Sequence, residues 1–194
     1  MEIVKKIVDS KKADLVEELA ELDFEKAKRV AEEIEDREAK IQALISLYNV
    51  SKDRDFLDRA ISLASSDEDF LRIVEYSDYC DDLIKVVSLI SKPYIKNVAY
   101  ATLLEKTGDL SFSTKIRDVR ILSASLKRLS SKLRYPESLT VAMMIPDAYY
   151  KSLALIELSK RESVDLSQEI SKIAENIKSK YLRERVISLL KSLL

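Results

Sequence analysis

The chain has 194 residues, of which 46% are hydrophobic and 35% are charged, and its formal net charge is −1. This composition excludes a disordered chain, because the apolar fraction is large enough to form a buried core. No uncharged run approaches the roughly 18 to 20 residues of a membrane span, and the start MEIVKKIVDS lacks the features of a secretory signal. We therefore expect a cytoplasmic protein with no membrane partner.

Residue types that common catalytic and cofactor sites require are scarce. The chain has one Gly, one Cys, and no His or Trp. A single Gly excludes a Gly-rich phosphate-binding loop, and Cys80 has neither a disulfide partner nor an imidazole to activate it. We expect no cofactor, no metal and no enzymatic activity. The abundance of Lys, Glu and Arg is typical of hyperthermophile proteins, which indicates a thermophilic source.

Apolar residues recur with helical spacing along the chain. Four segments align without gaps, each around an isoleucine at which we expect a break between two helices: Ile34, Ile90, Ile145 and Ile177. Val or Ile precedes each of them by four residues and Leu follows each by 13, so both helices of the unit keep one apolar face. A partial copy is centred on Ile7 and a weaker one on Ala64. The long interval between Ile90 and Ile145 predicts one more, degenerate copy near its middle.

This repeat predicts an all-α protein, an α-α superhelix (solenoid) of about seven helical hairpins and about 12 to 14 helices. Pro93, Pro136 and Pro146 lie at expected helix starts. We expect one helical-repeat domain over residues 1–194, with a hinge at 106–113 around Gly108. The pattern resembles the TPR-like and HEAT-like α-α superhelical families over most of the chain. That resemblance implies a protein-binding scaffold, and we expect the superhelix to be right-handed.

A tyrosine follows three of the central isoleucines by four residues, and a base follows each of the four by six. One interpretation is a ladder of phenols and cations that binds an extended acidic peptide or a phosphate backbone. The other is that the rings pack between hairpins while the bases are solvated. The predicted partner-binding residues are Tyr94, Lys96, Tyr149, Tyr150, Lys151, Tyr181 and Arg183.

The segment from Ser113 to Arg134 carries seven bases against one acid, and its apolar residues form one helical stripe. A basic amphipathic helix of this kind is suited to nucleic-acid phosphates, although the same pattern is typical of a solvated outer helix. No aromatic residue is interleaved for base stacking. Nucleic-acid binding is our alternative function, and its residues are Lys115, Arg117, Arg120, Lys127, Arg128, Lys132 and Arg134.

Charge and apolar residues are also unevenly distributed along the chain. Residues 1–82 hold 23 acids and 13 bases, a net of −10, whereas the remainder is +9. Such a bipolar molecule is expected to self-associate at low salt. The chain ends in VISLLKSLL, and a terminal repeat normally presents a polar outer face. We therefore expect a homo-oligomer formed through the C-terminal helix, with Val186, Leu189, Leu190, Leu193 and Leu194 in its interface.

Overall fold

The computed structural model describes residues 2–192, and these are 79% helical with no strand among them. The all-α prediction is confirmed, and the 13 helices fall within the predicted range. Twelve are α-helices and one is a 3-10 helix, Leu110–Lys115. The α-helices are α1 (Glu2–Leu22), α2 (Phe24–Glu32), α3 (Arg37–Ser51), α4 (Arg54–Leu63), α5 (Asp67–Tyr76), α6 (Asp82–Leu89), α7 (Pro93–Thr107), α8 (Val119–Lys132), α9 (Glu137–Met144), α10 (Ala148–Glu162), α11 (Ser167–Ala174) and α12 (Lys180–Lys191).

Short polar side chains fix where these helices begin. The carboxylates of Asp36, Asp118 and Asp147 each accept a hydrogen bond from a backbone N–H group in the first turn of the following helix. Ser66 and Asp69 form a reciprocal capping box at the start of α5. Such caps satisfy N–H groups that have no partner within the helix. They explain why the helices stop and restart after only a few residues.

The chain divides into two compact units, unit 1 (Met1–Ala99) and unit 2 (Tyr100–Leu194). The boundary between them lies within α7, before the hinge that we expected at 106–113. Part of that expected loop is helical, because Leu110–Lys115 form the 3-10 helix. Gly108 ends α7 with a φ of 71°, a left-handed conformation that Gly adopts without steric strain.

Close packing in unit 1 joins helices that are adjacent or next but one in the sequence. Helix α1 packs on α2 and α3, α3 packs on α4 and α5, and α5 packs on α6. Helices α1, α3 and α5 therefore form a consecutive row, and α2 and α4 pack against it. The largest fully buried side chains of this unit include Ile41, Leu44, Leu57 and Ile73, which form its apolar core.

Unit 2 shows the same local pattern of packing. Helix α8 packs on α9 and α10, and α10 packs on α9, α11 and α12. Leu126, Leu155 and Ile170 are buried in its core. Helices α8, α10 and α12 form the consecutive row of this unit.

The central isoleucines of the repeat occupy equivalent positions in the structure. Ile34, Ile90, Ile145 and Ile177 are all buried, and each lies in the short break between two helices. The missing copy between Ile90 and Ile145 is at Ile116, which is buried between the 3-10 helix and α8. Each of these breaks therefore buries one isoleucine. In four of them an N-cap residue follows the isoleucine two positions later: Asp36, Asp118, Asp147 and Ser179.

The partial copy predicted at Ile7 is wrong. Helix α1 is continuous from Glu2 to Leu22, and the side chain of Ile7 is 53% exposed. Asp9 follows Ile7 at the two-residue spacing of the caps, but it lies within α1 and is buried there. Residues 2–22 are therefore one long helix and not a hairpin.

None of the helices within residues 2–192 combines the length and the apolarity that crossing a bilayer requires.

Candidate partner-binding site

Three bases of the predicted ladder, Lys40, Lys96 and Arg183, bind backbone carbonyl groups at or just after the ends of the preceding helices. The ammonium group of Lys40 donates to the carbonyl oxygens of Ala31 and Glu32, at 2.7 and 3.1 Å. Lys96 makes the equivalent bond to the carbonyl of Ser88 at 3.3 Å. A positive charge at a helix C-terminus satisfies free carbonyl groups and favours the helix dipole. These bases have a structural role in the hairpin.

Arg183 repeats this arrangement in unit 2. Its Nε and Nη2 atoms donate to the carbonyl oxygen of Ile177 at 3.2 and 3.0 Å. Ile177 is the central isoleucine of its own repeat, so the base clamps the break that it follows. One interpretation expected the ladder bases to be solvated. Lys96 and Arg183 instead donate hydrogen bonds to backbone carbonyl groups.

The tyrosines of the ladder are placed differently from the bases. The side chains of Tyr94 and Tyr181 are 67% and 71% exposed, so they do not pack between hairpins as one interpretation expected. Tyr149 is half-buried and meets Tyr150 edge-on, with 5.9 Å between the ring centroids. Tyr149, Tyr150 and the half-buried Lys151 start α10 in unit 2, whereas Tyr94 and Lys96 belong to unit 1.

The basic segment from Ser113 to Arg134 is not one helix, which corrects the prediction. Lys115 ends the 3-10 helix, residues 116–118 form the break, and α8 begins at Val119. Val119 is 53% exposed because the first turn of α8 follows the break. Asp118, the only acid of the segment, is the N-cap of α8. A short carboxylate at this point of a basic segment is the sequence feature that indicates the break.

Arg128 and Lys127 form ion pairs within unit 2. Arg128 binds both carboxylate oxygens of Glu105, at 2.8 and 2.6 Å, and this hydrogen-bonded pair raises the pKa of Arg128 above its ordinary value. Lys127 binds Glu157 at 2.6 Å. The remaining five predicted nucleic-acid residues have exposed side chains: Lys115, Arg117, Arg120, Lys132 and Arg134. The structure therefore spreads these five over the 3-10 helix, the break, α8 and the segment after it.

A groove of about 470 Å³ runs along the row of helices in unit 1. Its walls come from α1, α3 and the end of α5, and the buried side chain of Ile45 lies at its base. Among the described residues that line it, three are acids and none is a base; the polar and aromatic members are Glu17, Glu21, Gln42, Ser46, Asn49, Tyr76 and Asp78. The carboxylate of Asp78 pairs with the ammonium group of Lys52, so the negative charge of the groove comes mainly from Glu17 and Glu21.

Asn49 shapes one end of this groove. Its amide donates to the carbonyl of Tyr76 at 2.9 Å, and its side-chain oxygen accepts from the N–H of Asp78 at 2.8 Å. The two bonds hold the chain that follows α5 against α3. The ring of Tyr76, which is 56% exposed, lines the same groove as the exposed carboxylates of Glu17 and Glu21.

Sequence reasoning missed a set of side chains that bind the helix breaks from a neighbouring repeat. Asp9 of α1 accepts hydrogen bonds from the backbone N–H groups of Glu35 and Asp36, at 3.1 and 2.8 Å. Asp67 accepts from Ser91 and Lys92 at 2.9 and 2.6 Å. The signal for Asp9 was an acid on the otherwise apolar face of α1.

The pKa values of these carboxyl groups follow from their partners. The N–H group of Asp36 is the main cause that holds the pKa of Asp9 below its ordinary value. The N–H groups of Ser91 and Lys92 lower the pKa of Asp67 in the same way. Hydrogen bonds from N–H groups stabilise the charged form of a carboxylate. Both side chains therefore act as anions that fix the break of the next hairpin.

Cys80 lies beside a phenol and not beside a base. Burial and a hydrogen bond with Cys80 raise the pKa of Tyr48 to about 12, so the Tyr48 phenol stays protonated at neutral pH. A protonated phenol does not take a proton from a thiol. Residues 2–192 also contain no cluster of His, Cys, Asp and Glu side chains suited to hold a metal ion.

The C-terminal end is more fully packed than we expected. Val186 and Leu190 are buried, and Leu189 is half-buried, so the prediction that these side chains lack cover is wrong for Val186 and Leu190. The aliphatic side chain of Ile187, also on α12, is 40% exposed. Leu193 and Leu194 lie outside the described residues.

Comparison of the chain with protein-family models, with curated proteins and with solved structures gives no match.

Proposed function

We propose that the protein is a non-catalytic scaffold that binds a protein partner, and that its helices form an α-α superhelix. What supports the superhelix is the local packing in each unit, where helices contact those one or two positions away in the sequence. The groove on unit 1 carries the functional proposal. Row helices in this geometry leave a long surface uncovered, and a groove of about 470 Å³ occurs on that surface.

The partner segment that fits this groove is extended and basic. Glu17 and Glu21 are exposed on the wall formed by α1, and they attract Lys or Arg side chains. The ring of Tyr76 adds an aromatic surface on which a guanidinium group stacks. Gln42 supplies donors and acceptors for a peptide backbone. An acidic peptide, which the ladder suggested, is less suited because Lys96 and Arg183 already bind carbonyl groups.

Binding of labelled peptides tests this proposal. Fluorescence anisotropy is measured with an arginine-containing peptide, an acidic peptide and a neutral peptide of equal length. We expect binding of the basic peptide and little binding of the other two. Changing both Glu17 and Glu21 to Gln is expected to weaken binding about tenfold, which corresponds to two exposed ion pairs of ordinary strength.

A matched control separates the groove from the charge of the molecule. Asp55 and Asp58 are exposed on α4, outside the groove, and changing both to Asn removes the same two charges. This double variant is expected to bind the basic peptide almost as the unchanged protein does. Equal weakening by the two double variants would show that only net charge attracts the peptide, and the groove proposal would then be wrong.

Nucleic-acid binding is the second candidate function, and the exposed bases of unit 2 favour it. Lys132 is the last residue of α8 and Arg134 lies two residues beyond it, and Lys115 and Arg120 are exposed on either side of the break. We expect any RNA or duplex DNA binding to weaken steeply with salt. Changing Lys132 and Arg134 to Ala is compared with changing Lys172 and Lys178, which are equally exposed bases outside this segment. Equal effects of the two changes would argue against a dedicated nucleic-acid surface.

A further inference from the structure

Helix α1 has two apolar faces, and only one of them is covered. The face against α2 and α3 buries Ala13, Val16 and Ala20. Six large apolar side chains of α1 are exposed, and four of them, with exposures from 42% to 83%, form one stripe away from the buried face: Val4, Val8, Leu15 and Leu22. A surface helix normally presents polar residues to solvent. This exposed stripe therefore indicates a surface that packs against another helix.

The spacing of the exposed stripe matches a helix-pairing seam. Val8, Leu15 and Leu22 are seven residues apart, and Val4 precedes Val8 by four. Apolar residues at intervals of seven and of three or four are the pattern that brings two helices together along one seam. Because the buried residues of α1 lie on the other side, this seam is available while α1 remains packed in unit 1.

Two charged residues interrupt the seam, and their positions are nearly symmetric. Lys11 precedes Leu15 by four residues and Glu18 follows it by three, so they lie about 6 and about 4.5 Å from Leu15 along the helix axis. Both side chains are exposed, and neither forms an ion pair with any residue in the range 2–192. The seam therefore presents one positive and one negative charge on opposite sides of its central leucine.

We propose that α1 pairs with α1 of a second copy of this chain, in an antiparallel arrangement about a two-fold axis near Leu15. That arrangement places Lys11 beside Glu18 of the second copy, and the symmetry repeats the ion pair. Val8 then meets Leu22 of the second copy, since each lies seven residues from Leu15. A parallel pair would oppose Lys11 to Lys11 and Glu18 to Glu18. The charges thus select the antiparallel form.

A second copy fits this surface because the surface is self-complementary. A two-fold interface uses the same patch on both subunits, and here the apolar and charged residues match themselves on reversal of the helix. The stripe is small, however. A helix of 21 residues is about 31 Å long and presents a stripe about 10 Å wide, which is below the roughly 800 Å² per partner of a standard interface. The dimer is therefore weak and concentration-dependent.

Sedimentation equilibrium with charge-reversal variants tests the pairing. We expect a reversible dimer of the unchanged protein at micromolar to millimolar concentration. Lys11→Glu alone opposes Glu to Glu twice and is expected to weaken dimerisation about tenfold. The double change Lys11→Glu with Glu18→Lys restores both ion pairs and is expected to restore the dimer. These residues are exposed, so far-UV circular dichroism should show the unchanged fold in each variant.

Cysteine cross-linking reports the orientation directly, in a chain that also carries Cys80→Ser. A mixture of Val8→Cys chains with Leu22→Cys chains is expected to form a disulfide-linked pair, whereas Val8→Cys chains alone are not. Cross-linking of Val8→Cys chains alone would show a parallel pair and overturn the proposal. A monomer at every concentration, or a dimer lost with Ile187→Ser on α12 but kept with Lys11→Glu, would overturn it as well.

Discussion

A single carboxylate, Asp9, connects α1 to the break between α2 and α3. Only 3% of its side chain is exposed, and it accepts from the N–H groups of Glu35 and Asp36. Neither N–H group has a helical partner, because both lie before the first turn of α3. Asp9 therefore replaces the water that these groups would otherwise bind.

The Asp9→Asn variant is expected to have a lower Tm at neutral pH. The folded-state pKa of Asp9 is below its unfolded value, so its contribution to stability is complete above about pH 4 and is lost as the pH falls through the folded pKa. The difference in Tm between the variant and the unchanged protein should then shrink in acid. Thermal unfolding followed by circular dichroism across a pH series measures this.

Asp14→Asn is the matched control for this experiment. Asp14 is on the same helix and is exposed. It makes only a 3.5 Å contact with Gln42, so its replacement should leave Tm almost unchanged at every pH. A difference between Asp9→Asn and the unchanged protein that stays constant down to about pH 2 would show that the charge of Asp9 is not the stabilising feature.

The tyrosine and the base of the ladder are expected to have separate effects on stability. Arg183→Ala removes two hydrogen bonds to the carbonyl of Ile177 and should lower the free energy of unfolding by about 1 to 2 kcal/mol. Tyr181→Ala, at a side chain that is 71% exposed, should change it by less than about 0.5 kcal/mol. Urea denaturation measures both. Equal losses would show that the ring also packs within the hairpin.

A helical break with a buried isoleucine is the recurrent element of this fold. The isoleucine fills the space between the two helices of a hairpin, and where an N-cap follows two residues later it starts the second helix. The break is thus defined by one burial site and one cap, and it tolerates wide variation in the helices around it.

The Ile116→Ala variant tests whether the break between the 3-10 helix and α8 is equivalent to the other breaks that bury an isoleucine. Ile116 and Ile145 are both buried. Ile116→Ala and Ile145→Ala are therefore each expected to lower the free energy of unfolding by about 2 to 5 kcal/mol. Val119→Ala, three residues later and 53% exposed, is the control and should cost less than about 0.5 kcal/mol. If Ile116→Ala lowers the free energy of unfolding as little as the control does, this break is not equivalent to the others.

The sequence predicted the breaks well wherever apolar spacing and a cap occurred together. Ile34, Ile145 and Ile177 were found because both flanking helices keep one face. Ile7 was misread because its apolar neighbours belong to the exposed stripe of α1, and spacing alone does not distinguish a stripe that packs internally from one left exposed. The clamping by Lys96 was also missed, because spacing does not show which carbonyl a long side chain reaches.

Charge differs between the two units as the halves of the sequence suggested. Unit 1 holds 23 acids and 16 bases, a net of −7, and unit 2 holds 11 acids and 17 bases, a net of +6. The acidic groove lies on the acidic unit, and the exposed bases of α8 lie on the basic one. Each candidate surface therefore has the same sign of charge as the unit to which it belongs. A net charge of that sign raises the rate of encounter with an oppositely charged partner.

Hydrogen exchange tests whether stability is as local as the packing. If each helix is stabilised mainly by its neighbours, as in repeat arrays, Ile145→Ala should speed amide exchange in α9 and α10 while leaving α1 to α4 close to unchanged. Ile41→Ala, at an equally buried residue of α3, should have the reverse effect. Mass spectrometry of peptides from each helix measures both variants. Uniform acceleration along the whole chain would show one cooperative unit, and the superhelix proposal would then lose its main support.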